Sequence, residues 1–361
     1  MNKKRKLLIL VDNISEYRIA TYNIIAKDFD LELGFIGKDN SQTQLNARKF
    51  IIGVKKISNV CLPSLSLIKY CKHFDAIIFE ADMHYLNFCC LPFIPCMPPV
   101  LCWSIGFRTS YTRPYDLYRK HTFLDRCYAS ILNSCDAVIV YMDCVKVFWK
   151  NSEVSHNKIF VAPNTTKIIE SFDNLGLKKT NFLFIGTLYK EKGVDKLIKA
   201  FKNALENHSR NTILNIVGDG PEKKALESYV NELDLSSNVI FHGRITDEII
   251  LSKLFSQSVL SFSPTQAGLS IPKSMGYGVP VVTKFNAITG GELYHISNGE
   301  TGIIYKNDDD LSQIMSNAMC NPEQYKIMGL KAKKYYDENA TVQHMANGVI
   351  EAVNYAINQS R

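Results

Sequence analysis

Three stretches in the second half of the sequence combine glycine, lysine and small polar residues in a way that suits an anion. The first is Gly186 with Lys192-Gly193. Gly186 ends an apolar run, so a phosphate can come close to the backbone there. A helix beginning after Lys192-Gly193 would offer free N–H groups and the positive end of its dipole. Lys192 adds a mobile cation, although an ordinary surface lysine reads the same way. The second is Gly218-Asp219-Gly220-Pro221, a strand-to-helix turn in which glycine supplies unusual φ angles and proline suits a first helical turn. An empty tight turn is the plain alternative. The third runs from Ser263 to Val282: a strand, the small-residue loop Thr265–Ser270, a short helix, then Gly-Val-Pro-Val-Val opening another strand. Its loop amides form a second anion cradle.

The first half offers scattered candidates. His84, in Glu80-Ala81-Asp82-Met83-His84, follows a strand end and has the chemistry to orient or deprotonate a hydroxyl. A surface or capping histidine fits as well. Arg18 and Arg108 are candidates for contact with an anion, and Gly106-Phe107 before Arg108 argues for an exposed crevice position. Arg244 follows Phe241-His242-Gly243 in the second half. A solvated side chain is the alternative for each arginine.

These residues need a scaffold that brings strand ends together. Apolar runs at 7–11, 31–36, 76–79, 100–103, 137–140 and 158–161 read as strands, with helices predicted over 17–27, 65–73 and 117–133. The second half repeats the alternation, with strands predicted at 181–186, 213–217, 239–241, 259–262, 279–282 and 303–305. Helices are predicted over 194–207 and 222–233, from Thr246-Asp247, from Asp309, from Pro322, and over 342–358. Such alternation implies parallel sheets with right-handed crossovers. The expected fold is α/β: two Rossmann-like, doubly wound parallel-sheet domains, 1–165 and 166–341, facing a central cleft. The helix 342–361 is expected to pack back toward the first domain. Ligands in such folds sit at the carboxyl ends of the strands.

At 361 residues, with 46% hydrophobic and 21% charged residues, the chain is long enough for two cores and too apolar for a disordered protein. Residues 1–165 hold 21 Lys and Arg against 14 Asp and Glu, and the rest is balanced, so the net charge of +7 falls in the first half. That excess points to an anionic partner, such as a membrane surface or a diphosphate-linked acceptor, or simply to a solvated surface. No nucleic-acid module accompanies it, so nucleic acid is not an expected partner. Nine of the ten cysteines precede residue 165, without a CxxC pair, and are expected to be reduced and mostly buried. No metal-ligand spacing is found. The opening Lys-rich segment with a five-residue apolar run reads as a first strand rather than a signal peptide. Residues 86–103 are apolar enough to raise the question of a membrane, but Pro92, Pro95, Pro98 and Pro99 would break a spanning helix. A cytoplasmic protein with peripheral membrane contact is expected.

In order, Phe184-Ile185-Gly186-Thr187-Leu188 with Lys192-Gly193-Val194-Asp195, Ile216 to Pro221, Val239 to Gly243, Ser263 to Val282, and Asn298-Gly299-Glu300-Thr301-Gly302 resemble the donor domain of the retaining glycosyltransferases of family 4. The resemblance covers roughly 160 residues. The first half matches in outline only, at Tyr17-Arg18, Trp103 to Gly106 and Pro163-Asn164. The resemblance implies the two-domain GT-B fold and transfer of a sugar from a nucleoside diphosphate donor to an acceptor hydroxyl, with retention. It implies no cofactor and no metal. It places Gly186, Thr187, Lys192, Gly268, Leu269 and Ser270 at the donor diphosphate, and Gly218, Asp219, Gly220, Arg244, Thr265, Lys273 and Glu292 at the nucleotide. His84, Lys192 and Lys273 become catalytic candidates, and Arg18, Gly106 and Arg108 fall on the acceptor side.

The sequence also departs from the family. The family's Gly-Arg-Leu reads Gly186-Thr187-Leu188, so one expected phosphate-binding cation is missing. Its two glutamates, eight positions apart, read Thr265 and Lys273. Lys273 is expected to reach a phosphate in place of the arginine, and Glu292 to take over ribose or sugar contacts. The expected substrates are a nucleotide-sugar and a glycan or lipid-linked oligosaccharide, in bacterial cell-surface polysaccharide synthesis. The competing reading is a catalytically silent binding or assembly partner that keeps the fold. A sugar-nucleotide epimerase or a phosphorylase on the same architecture is less favoured.

Overall fold

The computed structural model describes residues 3–109, 115–169, 179–206 and 211–359. The chain folds into two units. One comprises Met1–Thr109, Asp116–Thr166 and Val342–Arg361; the other comprises Lys167–Thr341 with Tyr115 from the first half.

The first unit is built on strands β1 (Lys6–Val11), β2 (Asp30–Phe35), β3 (Arg48–Ile51), β6 (Ala76–Glu80), β7 (Val100–Ser104), β8 (Ala137–Val140) and β9 (Ile159–Val161), with β4 (Lys56–Ile57) and β5 (Val60–Cys61) forming a small hairpin. The large sheet is parallel throughout, in the order β3-β2-β1-β6-β7-β8-β9. Its central strands are apolar on both faces, as a sheet covered by helices on each side requires. The helices are α1 (Glu16–Asp28), α2 (Leu65–Cys71), α3 (Leu86–Cys89), α4 (Phe123–Ser134) and α5 (Val145–Phe148). The predicted helix over 117–133 begins later than expected. Thr122 caps it in a reciprocal pair with Asp125, and Arg119 holds that carboxylate through bonds of 2.6 and 2.7 Å, leaving 117–120 outside the helix. The edge strand β3 is not predicted by the sequence pattern. It is short and mostly exposed, so its residues lack the alternation a half-buried strand would show.

The second unit contains β10 (Asn181–Ile185), α6 (Val194–Leu205), β11 (Leu214–Val217), α7 (Lys223–Glu232), β12 (Val239–Gly243), α8 (Glu248–Ser256), β13 (Ser258–Ser263), β14 (Gln266–Ala267), α9 (Ser270–Gly276), β15 (Val281–Lys284), β16 (Ile288–Thr289), β17 (Gly302–Tyr305), α10 (Asp310–Cys320) and α11 (Pro322–Asn339). Its main sheet runs β12-β11-β10-β13-β15-β17, all parallel, and β14 pairs with β16 beside it. Val194, Leu197, Ile198 and Phe201, spaced for one face of α6, are all buried in the core of this unit. Asp247 caps α8 by accepting the Ile249 and Ile250 N–H groups.

The final helix, α12 (Val342–Gln359), returns to the first unit, where Met345, Ala346, Val349, Val353 and Ile357 join the core with α1 and β1. Gly348 lets it settle on β9: a Cβ there would stand 2.0 Å from the Val161 carbonyl oxygen. Among the described residues no helix is long and apolar enough to cross a membrane.

Candidate functional site

In the second unit the chain visits β10, β11 and β12 on one side, then β13, β15 and β17 on the other. The order therefore reverses beside β10, and the loops after β10 and β13 flank the place where doubly wound sheets bind ligands.

After β10 the chain passes Gly186, exposed Thr187 and buried Leu188 to a 3-10 turn, Lys190–Lys192. Gly193, at φ +64°, then starts α6. The neighbouring Gly-Asp-Gly-Pro loop locks this segment in place, backbone against backbone. A Cβ on Gly218 (φ +146°) would lie 1.8 Å from the Gly186 carbonyl oxygen, and one on Gly220 would lie 2.3 Å from that of Leu188. The Leu188 N–H donates to the Asp219 carbonyl at 2.9 Å, and the Glu222 N–H donates to the Leu188 carbonyl at 3.0 Å. The Asp219 side chain accepts the Gly220 N–H at 2.8 Å. The glycines expected at a nucleotide thus have a full structural reason of their own.

Lys192 is half-buried, with its ammonium 5.4 Å from the centre of the Tyr189 ring. Among the described residues no carboxylate stands within 4 Å of it. Burial lowers its pKa to about 8, with the charge of Glu292 acting in the opposite direction. Glu292 is 4% exposed. It accepts the Gly290 N–H at 2.8 Å and the Thr289 hydroxyl at 3.1 Å, in a turn where Gly291 has φ +118°. The fold therefore brings Lys192 near Glu292, which stands 100 positions away in the sequence. A half-desolvated cation beside a fixed carboxylate can hold an anionic group and a hydroxyl side by side.

The third stretch divides into an open part and a braced part. A Cβ at Gly268 would meet nothing within 4 Å, so the backbone there is open to a ligand. Ser270 shares a hydrogen bond of 2.9 Å with Ser263. Leu269 precedes α9 and is half-buried. Thr265, expected near the nucleotide, instead donates its hydroxyl to the Glu191 carbonyl and lies against Gly193, where a Cβ would come within 2.9 Å of its methyl group. It ties the Lys192 loop to the loop after β13. Tyr189 makes a second tie, donating to the Gln266 side chain.

Lys273 also departs from expectation. Its ammonium lies 2.6 Å from Glu248 Oε1, while the Tyr277 hydroxyl donates to Oε2 at 2.9 Å. The cation expected to reach a phosphate is already neutralised by the start of α8. Sequence reasoning misses Glu248 because it lies 25 residues before Lys273, on a different helix, without a local pattern to mark it. Arg244 is exposed beside Gly243, which has φ +66°.

In the first unit, His84 is folded onto its own turn. Its Nδ1 lies 2.7 Å from Asp82 Oδ1, which also accepts the His84 N–H at 2.9 Å. Gly106 has φ +98°, where a Cβ would meet Val145 at 2.6 Å, and its carbonyl accepts the Trp149 indole N–H at 2.7 Å. That is a packing role rather than an open crevice. Arg108 is half-buried, and its carbonyl accepts from Arg119 at 3.1 Å. Arg18 is buried, stacked 4.7 Å over Trp103. Among the described residues no group of three or more His, Cys, Asp or Glu is placed to hold a metal.

The Staphylococcus aureus protein CapJ is 30% identical over 152 residues, 40% of this chain and 38% of CapJ. The Escherichia coli lipopolysaccharide glucosyltransferase WaaG is 24% identical over 181 residues, 48% of this chain and 46% of that protein. The matched stretches therefore span less than half of either relative. Among solved structures, Anabaena HepE in complex with UDP superposes with a TM-score of 0.70 at 17% identity, covering 97% of this chain and 99% of HepE; HepE has also been solved with UDP-glucose. The fold is thus the α/β GT-B class, two Rossmann-like units with parallel sheets. Residues 167–335, which contain every residue of the Lys192 site, match the family model of glycosyl transferases group 1.

Proposed function

We propose that this protein is a glycosyltransferase that moves a sugar from a nucleoside diphosphate donor to an acceptor hydroxyl. The observation that carries this reading is Lys192: among the described residues, a half-buried ammonium with no carboxylate within 4 Å, on the same loop as Gly186 and near the fixed carboxylate of Glu292. As the bond from the anomeric carbon to the diphosphate breaks, negative charge gathers on the leaving phosphate. A preplaced cation and loop amides stabilise that charge more in the transition state than in the bound donor. In this reading Lys192, Gly186, Thr187 and the Gly268–Ser270 loop meet the diphosphate, and Glu292 meets the donor sugar. We further propose that transfer retains the anomeric configuration and needs no metal.

The relative WaaG, a lipopolysaccharide glucosyltransferase, supports a role in cell-surface polysaccharide synthesis. We place the protein in the cytoplasm, acting on a glycan or lipid-linked oligosaccharide at an anionic membrane surface. The basic first half and exposed Leu86 and Phe93 in the proline-rich segment support that placement. The alternative, a silent assembly partner, draws on the non-acidic Thr265 and Lys273. Thermal shifts with UDP-, GDP-, ADP- and CMP-sugars, followed by an assay of nucleotide release, separate the two. A true donor raises the melting temperature by mass action and is turned over. A protein that none of these donors stabilises, and that releases no nucleotide, is not a transferase.

A further inference from the structure

The first unit has its own point of reversal. The chain lays β2 and β3 to one side of β1, then β6 to β9 to the other, so the carboxyl ends of β1 and β6 meet where a doubly wound sheet takes ligands. A small cavity lies there, lined by Val11 from β1, Glu80 from β6, Trp103 from β7, Arg18 and Tyr22 from α1, and Tyr141. Its volume of about 20 Å³ admits one water-sized group.

The lining is chemically incomplete. Trp103 is 6% exposed, and its indole N–H has no hydrogen-bond partner among the described residues. Arg18 is 8% exposed and donates to the Tyr141 hydroxyl at 2.6 Å and the Met345 sulfur at 3.2 Å, but meets no carboxylate within 4 Å among the described residues. Glu80, exposed at the end of β6, accepts the Asp12 N–H at 3.0 Å and keeps further acceptor capacity. Leaving a buried donor unsatisfied is costly, so the cavity calls for an occupant. Trp103 and Arg18 ask for an acceptor, and the Glu80 carboxylate can accept from a donor. One oxygen that bears a hydrogen answers both.

We propose that this cavity is a hydroxyl-recognition site for the sugar acceptor, with the Trp103 indole N–H donating to the hydroxyl oxygen and that hydroxyl donating to Glu80. The role rests on the glycosyl-transfer reading. Arg18, fixed between Trp103 and Tyr141, sets the position of the indole. Water fills the place when no acceptor is bound.

The test is calorimetric titration of the full chain. Wild type, Trp103→Phe and Glu80→Gln are first titrated with UDP, GDP, ADP and CDP. With the best nucleotide at saturation, each is then titrated with the methyl glycosides of glucose, galactose, mannose and N-acetylglucosamine. Trp103→Phe keeps a buried ring and removes the donor, while Glu80→Gln keeps the shape and places an amide where the carboxylate stood. The expected result is at least one glycoside that binds wild type and binds each variant at least about tenfold more weakly, with nucleotide affinity unchanged within about twofold. A glycoside that binds both variants as it binds wild type shows a cavity that holds only water and overturns the proposal. So does a wild type that binds nucleotide but none of the four glycosides. A wild type that binds no nucleotide sinks the transferase reading, and the acceptor site with it.

Discussion

The two units share an architecture and differ in how they treat charge at the reversal point of their sheets. In the second, the cation Lys192 rides on a loop clamped by glycine backbone contacts, and among the described residues no carboxylate within 4 Å ties its ammonium down. In the first, the cation Arg18 is packed into the core among aromatic rings, and a cavity rather than an open loop adjoins it. A half-buried cation that no neighbouring carboxylate ties down suits a group whose charge changes during reaction. A fixed guanidinium beside a one-oxygen cavity suits recognition of a neutral group by position.

The largest expected effect comes from breaking the clamp. Gly218→Ala forces a Cβ into the Gly186 carbonyl at a φ that side chains rarely adopt. A cost of about 3 kcal/mol is expected, seen as a melting temperature lower by roughly 10 °C. Gly268→Ala, in open space, should change stability by less than about 0.5 kcal/mol while weakening nucleotide binding. If the two variants lost stability equally, the distinction between clamp and open loop would fail.

Next is the cation itself. Lys192→Ala should cost about 2 kcal/mol of nucleoside diphosphate affinity, roughly thirtyfold in Kd, at unchanged melting temperature. The pH dependence has a definite sign. With a pKa of about 8 in the free protein, Lys192 loses its proton above pH 8, whereas a bound diphosphate favours the charged form. Affinity should therefore be level below about pH 8 and fall by up to about tenfold per pH unit above it, a slope that Lys192→Met should remove. Calorimetry from about pH 6.5 to about pH 9.5 measures it.

Smaller effects separate framework from site. Glu248→Ala leaves the Lys273 ammonium largely buried without its partner and should cost about 1 kcal/mol of stability, since the pair is only partly shielded from water. His84→Ala, at an exposed turn, should alter stability by less than about 0.5 kcal/mol and turnover by less than about threefold. A loss of turnover on the order of a hundredfold would instead return His84 to the reacting centre.

This contrast also explains what the sequence reveals. The second unit is legible because its candidate anion-binding residues are local: Gly186 and Lys192 lie within one loop, and strand-loop-helix grammar marks that loop. The helical face of α6 and the Asp247 cap are visible for the same reason. Partnerships across long separations are not. Glu248 meets Lys273, and Thr265 meets Glu191, only because separate helices and loops converge. Lys273 and Thr265 accordingly look like ligand contacts in the sequence, although their side chains already have protein partners. In the first unit, Arg18 looks in the sequence like a candidate for contact with an anion. Its burial depends on Trp103, Tyr141 and Met345, all remote in the chain, and no local pattern encodes that cage.

The placement of α12 has a consequence for synthesis. A ribosome releases the second unit's whole sequence before Val342 emerges, although most of the first unit is made earlier. Until then the first unit lacks Met345, Val349 and Val353, and the surface of α1 that they cover stays bare. The half translated first is closed last, so the nascent chain carries an uncapped apolar face until the turns of α12 leave the exit tunnel.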